Sequence, residues 1–318
     1  MHWRYDSILT LLILLNEQRQ LSRTISMNTT NIIQLCYGLP GVVIYFLIIY
    51  AMRVMRTALS TSFVIMFIIN PFTNILTWLN SWIMLRLKSE PSISSFNAWI
   101  DSHDFLRIPL GFLVPQFYYI QNACCLLLCI DRFTAIYSAT RNYNFWSKVY
   151  DISSFFSILI CILVNIISRW AIYGDNSGNA VSKVLAATLV QDVFGIVVLL
   201  SCCVLNILSL KKLFYYRTTS TSHKELSFFL ISFCIFIAQV LNLVVLFILT
   251  IPLVFPASPN STFASVRLFT ISVMHFTSDL FSIGPAYYTL LLPGPIRQYF
   301  VEKIRRRFCR SIKITQIS

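Results

Sequence analysis

Charged residues are scarce in this sequence, making up 12% of its 318 positions, and acids number only 12. Soluble domains carry roughly 25% charged residues, whereas 57% of this chain is hydrophobic and its mean hydropathy is +0.71. The composition therefore predicts a membrane protein. Its net charge of +13 does not indicate nucleic-acid binding, because the basic residues lie between apolar segments and near the C-terminus, where they would face anionic lipid.

Cysteine is absent from every predicted exterior loop, although the chain contains nine. Eight of them lie inside apolar segments, where cysteine usually behaves as a small hydrophobe. The four histidines are scattered, and no Cys or His spacing is typical of a metal site. Serine and threonine are plentiful, but no intramembrane base accompanies them. We therefore predict no disulfide framework, no metal, no cofactor and no enzyme activity.

Seven apolar segments follow one another from residue 32, each long enough to cross a bilayer as a helix of about 20 residues. We number them one to seven: Ile32–Met52, Ser62–Leu85, Pro109–Ile130, Ile152–Ile172, Val184–Leu210, Leu226–Leu249 and Leu268–Leu292. They predict an all-α membrane protein, a seven-transmembrane helix bundle. Pro40, Pro71, Pro115 and Pro285 lie inside segments and predict kinks, which neighbouring helices make tolerable. The two halves share no paired broken helices, which argues against a transporter with inverted repeats.

The chain divides into three predicted parts. Residues 1–31 form an extracellular tail, residues 32–292 the seven-helix domain and residues 293–318 a cytoplasmic tail. The first tail contains an eight-residue apolar run, Ile8–Leu15, which is too short to cross a membrane. A signal-peptide core and a short exterior tail with an apolar patch are both compatible with this run.

The cytoplasmic tail begins with a helical pattern. Apolar residues recur at spacings of three and four, and basic residues fill most of the opposite face. The apolar positions are Ile296, Tyr299, Phe300, Ile304 and Phe308. This predicts a short amphipathic eighth helix on the lipids of the inner leaflet, and a solvated basic tail is the alternative. Cys309 at its end is a candidate for palmitoylation.

Lysine and arginine are distributed unevenly between the loops. If the N-terminus is outside, sixteen of the 25 basic residues fall on the interior side and nine on the exterior side. The positive-inside rule therefore predicts that the N-terminus is outside and the C-terminus inside. This orientation also puts both glycosylation sequons, at Asn28 and Asn260, on the exterior.

Segment three ends in a group of three distinctive residues. About twenty uncharged residues are followed directly by Asp131, Arg132 and Phe133, so these charges lie at the membrane boundary. A guanidinium keeps its charge there and can bind a carboxylate through two parallel hydrogen bonds. Its candidate partners are Asp131 and Glu225, which precedes segment six. The alternative is that Arg132 is an ordinary positive-inside anchor.

Two acids, Asp192 and Asp279, lie deep in predicted segments. An intramembrane acid by default indicates function or a buried pair. We therefore predict a water-filled ligand pocket between them. Its candidate residues are Asp192, Asp279, His275, Gln116, Tyr118, Tyr119 and Gln121. The alternatives are a structural hydrogen bond from Asp279 to Asn70 or Asn74, and an interhelical pair for Asp192.

Taken together, these features resemble a G-protein-coupled receptor. Asp131-Arg132-Phe133 closes the third segment, and Gly284-Pro285-Ala286-Tyr287-Tyr288 lies in the seventh. Further short motifs are similar to nematode serpentine chemoreceptors of class gamma or the related class V: Ile130-Asp131-Arg132-Phe133-Thr134-Ala135, Phe145-Trp146-Ser147-Lys148, Lys224-Glu225-Leu226 and Ser278-Asp279-Leu280.

The resemblance implies a receptor that binds a small-molecule or peptide cue from outside and activates a heterotrimeric G protein, in the plasma membrane of a chemosensory cell. Its coupling and switch residues would be Asp131, Arg132, Phe133, Glu225, Pro285 and Tyr288. Pro285 and Tyr288 carry over as a kink and an inward hydroxyl. The family's Asn before this proline is Gly284 here, and the usual disulfide between segment three and the second exterior loop is absent.

Two other functions are compatible with seven crossings. A channel or transporter would have several acids along one path, whereas Asp192 and Asp279 are the deep ones here. A protein that binds lipid without signalling is the third possibility. Activation of a G protein on heterologous expression would separate the three.

The predicted topology can be tested through its two sequons. We expect an endoglycosidase to shift the mobility of the wild-type protein, and the shift to be lost only when Asn28→Gln and Asn260→Gln are combined. A tag after Ser318 should remain unlabelled in intact cells. Labelling of that tag without permeabilisation would invert the orientation.

Overall fold

The structure is a computed structural model. It describes residues 26–55, 61–90, 93–137, 143–173, 180–215, 222–254, 261–292, 294 and 296–305. Regular structure in these residues is helical, with no strand among them. The glycosylation and palmitoylation candidates Asn260 and Cys309 lie outside the described residues, as does the side chain of Asn28.

Segments one to six form long helices. Their bounds are Ser26–Met55, Thr61–Ser81, Asp104–Tyr137, Tyr143–Tyr173, Ala180–Tyr215 and Ser222–Val254. In the described part of the chain, six helices are long and apolar enough to cross a membrane, and they correspond to these segments. The prediction of a helical membrane protein is thereby confirmed.

Segment two does not end where its apolar run ends. After Ser81 the helix widens into a π-helical turn, Trp82–Arg86, and then tightens into a 3-10 turn, Leu87–Ser89. A short helix, Ser94–Ser102, follows before segment three and was not predicted from the sequence. The main consequence is that Arg86 is still on the helix and is 2% exposed.

Segment seven is broken into two helices, Ser261–Ser282 and Gly284–Leu291. Pro285 is the second residue of the second helix and has no N–H to donate, so the regular bonding pattern cannot pass it. The N–H of Ala286 bonds to the carbonyl of Ile283 at 3.1 Å instead of continuing the α-helical ladder. The kink predicted at Pro285 is therefore a full interruption. The crossing of the membrane by segment seven stays a prediction.

Two tyrosine hydroxyls donate to carbonyls that this break releases. Tyr45 of segment one donates to the carbonyl of Ser282, and Tyr288 donates to the carbonyl of Leu280 at 3.3 Å. A buried carbonyl without a partner costs free energy comparable to a lost hydrogen bond. The buried bond from Tyr45 therefore stabilises the interruption, and the exposed bond from Tyr288 gives the second released carbonyl a partner. By contrast, the helices of segments one, two and three continue through their internal prolines.

The core lies where segments one, two, three, five, six and seven meet. Its members include Tyr45, Trp78, Leu128, Ile231 and Ile283, each at most 5% exposed. The outward faces are apolar as well, which suits a bundle surrounded by lipid tails. Helical residues 296–305 pack against this core through Ile296, Tyr299 and Phe300. On the same helix, Arg297 and Arg305 are exposed.

Removal of the Tyr45 hydroxyl should destabilise the fold. Tyr45→Phe leaves the carbonyl of Ser282 without its donor, and an unsatisfied buried group costs about 1–3 kcal/mol. We expect a lower unfolding temperature for the purified full-length protein in detergent. Tyr50→Phe, on the same helix and half exposed, is the control and should leave that temperature unchanged. Equal midpoints for both variants would contradict this role of Tyr45.

Candidate functional site

A buried ion pair joins segments two and seven. Arg86 donates to Oδ1 of Asp279 at 2.5 Å, and both side chains are almost completely buried. The hydroxyl of Tyr37 in segment one donates to the other oxygen, Oδ2, at 2.5 Å. Arg86 also donates to the carbonyl of His275 at 3.4 Å and lies over the Trp82 ring, 5.1 Å from its centroid. Three segments are therefore held together around one carboxylate.

Sequence reasoning missed Arg86. We assigned it to the first exterior loop because it follows the last apolar residue of segment two. The π-helical turn extends the helix past that point and brings the guanidinium inside. Turns of this kind are frequent at functional sites. The available signal was Asp279 itself, because an acid buried in lipid needs a cation.

Of the two amides proposed as partners of Asp279, Asn70 and Asn74, the second bonds elsewhere. Asn74 donates to the hydroxyl of Tyr45 at 2.9 Å and accepts from Gln121 of segment three at 2.8 Å. Because Tyr45 in turn donates to the Ser282 carbonyl, a continuous polar chain connects segments three, two, one and seven. We call Gln121, Asn74, Tyr45 and Ser282 the polar relay. It ends at the break in segment seven.

The four polar residues predicted to line the pocket from segment three face different neighbours. Gln116 accepts from Asn165 at 2.9 Å, and the hydroxyls of Tyr119 and Ser168 are 3.1 Å apart, so both residues face segment four. Gln121 belongs to the polar relay. Tyr118 approaches segment five and interacts electrostatically with Asp192.

The two deep acids lie in different surroundings. The described contacts of Asp279 are with segments one and two, whereas Asp192 lies one turn before Gly195, which the Tyr118 hydroxyl approaches. No partner common to both acids is found among the described residues. A single pocket between them stays a prediction.

Three buried thiols meet between segments three and five. The sulfur atoms of Cys125, Cys129 and Cys202 lie within 4.8 Å of one another, a set that could hold a soft metal ion. Sequence spacing had indicated no metal site, because Cys202 comes from a distant segment. Cys125 already donates to Gln239 at 3.0 Å, and Asn206 donates to Cys129 at 3.5 Å. Two of the three thiols therefore have a hydrogen-bonding neighbour outside the cluster.

At the other end of segment three, Arg132 is paired with its neighbour. Its Nε donates to Oδ2 of Asp131 at 3.0 Å, and a second nitrogen donates to the same oxygen. The two residues are 4% and 5% exposed. The guanidinium lies 5.2 Å from the ring centroid of Phe228 in segment six. The side chain of Glu225, the other predicted partner, lies outside the described residues.

The remaining predicted switch residues lie close to these features. The ring of Phe133 packs on Tyr137, with centroids 4.4 Å apart. Pro285 and Tyr288 are at the break in segment seven, where the hydroxyl of Tyr288 caps a released carbonyl.

One comparison with known proteins found a match. A family model described as Srg family chemoreceptor matches residues 31–300, which is most of the chain. No curated protein and no solved structure matches the sequence.

The ion pair between segments two and seven can be tested with a double-mutant cycle. Arg86→Met and Asp279→Leu should each reduce the free energy of unfolding by about 3–5 kcal/mol, because each leaves an uncompensated buried charge. The double variant should recover much of that loss, since an apolar pair needs no compensation. The surface pair of Lys88 and Asp101 is the control cycle and should yield about 0–1 kcal/mol. Additive single effects at Arg86 and Asp279 would contradict the pairing.

Proposed function

The chain belongs to the Srg family of chemoreceptors, and we propose that it is a G-protein-coupled receptor that binds an external cue and catalyses nucleotide exchange on a cytoplasmic heterotrimeric G protein. The observation that carries this proposal is the buried Asp131–Arg132 pair against segment six, at one end of a bundle whose polar residues connect four segments. The cue would be a small molecule or a peptide. The receptor would act in the plasma membrane of chemosensory cells.

The proposed topology has seven crossings, with the N-terminus outside and the C-terminus inside. The excess of basic residues on the interior side supports this orientation. Residues 296–305 would form the eighth helix on the inner leaflet. In support, Ile296 is buried against the bundle while Arg297 and Arg305 are exposed and available to anionic headgroups.

The inner end of segment three would be the switch. In the resting form Arg132 binds Asp131, and Phe228 of segment six covers the guanidinium. Glu225 is three residues before Phe228 on the same helix, so the two positions share a helix face. Outward movement of segment six would remove both residues from Arg132. The freed arginine would then be available to the G protein.

The break in segment seven would connect the cue to this switch. The polar relay bonds segments one, two and three to the break at Ser282, and a second set of bonds joins segment three to segment six. In that set Gln239 donates to Asn122 at 2.7 Å and accepts from Cys125. A cue shifts this equilibrium only through a difference in its affinity for the two forms. Cue binding in the outer half would supply that difference by repacking these helices.

The switch can be tested without knowing the cue, through basal nucleotide exchange on a co-expressed G protein. Glu225→Ala should raise basal exchange several-fold, since a charge-assisted bond that holds the resting form is removed. Arg132→Ala should abolish exchange, alone and combined with Glu225→Ala, although the receptor still reaches the cell surface. Surface labelling measures that arrival.

A conservative variant and a matched control make the test specific. Arg132→Lys keeps the charge but loses the planar fork, so exchange should fall with it. Arg53→Ala removes an exposed basic residue at the same end of segment one and should leave exchange unchanged. Normal exchange by Arg132→Lys would identify Arg132 as a membrane anchor and would refute the switch.

A further inference from the structure

The two deep acids, Asp279 and Asp192, differ in their hydrogen-bond and ion-pair partners. Asp279 has a cation, Arg86, and a hydroxyl donor, Tyr37. Asp192 of segment five is 2% exposed, and neither of its carboxylate oxygens has a hydrogen-bond partner among the described residues. The chain thus provides a counter-ion for one buried carboxylate and none, within its described part, for the other.

An unpaired carboxylate in a low-dielectric interior is costly, so it becomes neutral or acquires a cation. The basic residue of the adjacent segment four, Arg169, does not pair with Asp192. Arg169 donates to the carbonyl of Gly111 at 2.5 Å and lies 5.1 Å from the ring centroid of Phe112. A cation for Asp192 would therefore come from outside the described residues.

The surroundings of Asp192 offer acceptors and aromatic surface. The hydroxyl of Tyr118 is also buried without a partner. It reaches segment five because Gly195, one turn after Asp192, has no side chain. A Cβ at Gly195 would lie 2.5 Å from this hydroxyl oxygen. The hydroxyl of Thr250 in segment six is close to Asp192 but donates to the Leu246 carbonyl at 3.1 Å, so it can donate to Asp192 only by giving up that bond.

These groups fit an organic ammonium better than a metal cation. An ammonium group carries N–H donors and no acceptor, and the two oxygens of Asp192 and the Tyr118 hydroxyl supply three acceptors. The rings of Tyr118, Tyr119 and Phe194 form a contiguous aromatic group, with centroids 5.8 and 5.1 Å apart. Aromatic faces attract ammonium ions, whereas hard metal cations require about six oxygen ligands.

We infer that the cue is a protonated amine and that Asp192 and Tyr118 bind its ammonium group. This inference rests on the proposed function, because it treats the site as the cue site, and it specifies the chemical class. Asp192 lies seven residues inside the apolar stretch that begins at Leu185, a depth of about 10 Å along a helix. An amine entering from the exterior end of the bundle would place its ammonium group at Asp192. Its apolar part would then lie between the outer ends of the helices.

Binding can be measured on the purified full-length receptor in lipid nanodiscs. The probe is n-butylammonium chloride, compared with sodium chloride at equal ionic strength and with n-butanol. Butylammonium should raise the unfolding temperature in a saturable way, because a ligand that binds the folded state stabilises it. Sodium and butanol should not. No saturable shift with butylammonium, or an equal shift with sodium, would overturn the assignment.

Variants identify the site. Asp192→Asn should weaken the apparent affinity about tenfold to 100-fold, the range for a hydrogen bond to a charged group. Asp101→Asn, an acid on the surface, is the matched control and should bind as wild type does. Tyr118→Lys places an ammonium beside Asp192 and should abolish the butylammonium shift while the protein stays folded. An apparent affinity in Asp192→Asn equal to that of the wild type, or a shift that survives in Tyr118→Lys, would refute the site.

The result of the amine-binding test can be distinguished from the result of the nucleotide-exchange test. Basal exchange that depends on Arg132, together with no amine binding, would leave the receptor function intact and refute the amine site. Amine binding that depends on Asp192, with no exchange in any variant, would support the site and refute coupling to a G protein.

Discussion

A polar group inside a bilayer has no water to bond to, and every donor, acceptor or charge must find its partner within the bundle. This constraint explains why the interior contacts are so specific. Arg86 neutralises Asp279, and Tyr45 and Tyr288 bind the carbonyls released beside Pro285. Apolar packing alone gives little preference for one helix arrangement over another, since lipid tails are as apolar as leucine.

The same constraint makes the bundle suited to switching. Bonds such as those of the polar relay would be lost in another arrangement of the helices, so in the proposed receptor they would separate two discrete states. The break at Ile283 is a place where segment seven can change shape without breaking a regular helical ladder. Of the two deep acids, Asp192 is the one that has no cation and no hydrogen-bond partner among the described residues. In the proposed amine site, an external cation would stabilise this carboxylate.

Much of the architecture could be predicted from the sequence. Long apolar segments predicted helices, and six of them have the length and apolarity to cross a membrane. The motifs around Asp131 and Pro285 suggested the family that the comparison then found. Asp192 and Asp279 were singled out correctly as buried acids, since an acid in an apolar run has few alternatives.

The partners of these acids could not be predicted in the same way. Arg86 and Asp279 are 193 positions apart, and a π-helical turn that no simple periodicity reveals brings the arginine inside. Likewise, Gln116, Tyr118, Tyr119 and Gln121 are close in sequence but face three different segments, because a helix turns its side chains by about 100° per residue.

The sequence by itself determined which stretches of this protein are helical and apolar, because those properties depend on neighbouring residues and on the lipid environment. Only the tertiary structure decided which polar groups meet. Hydrogen bonds and ion pairs between segments require two distant side chains to reach about 3 Å, and that distance depends on helix rotation and packing. The pairing of Asp279 and the isolation of Asp192 are therefore properties of the assembled bundle.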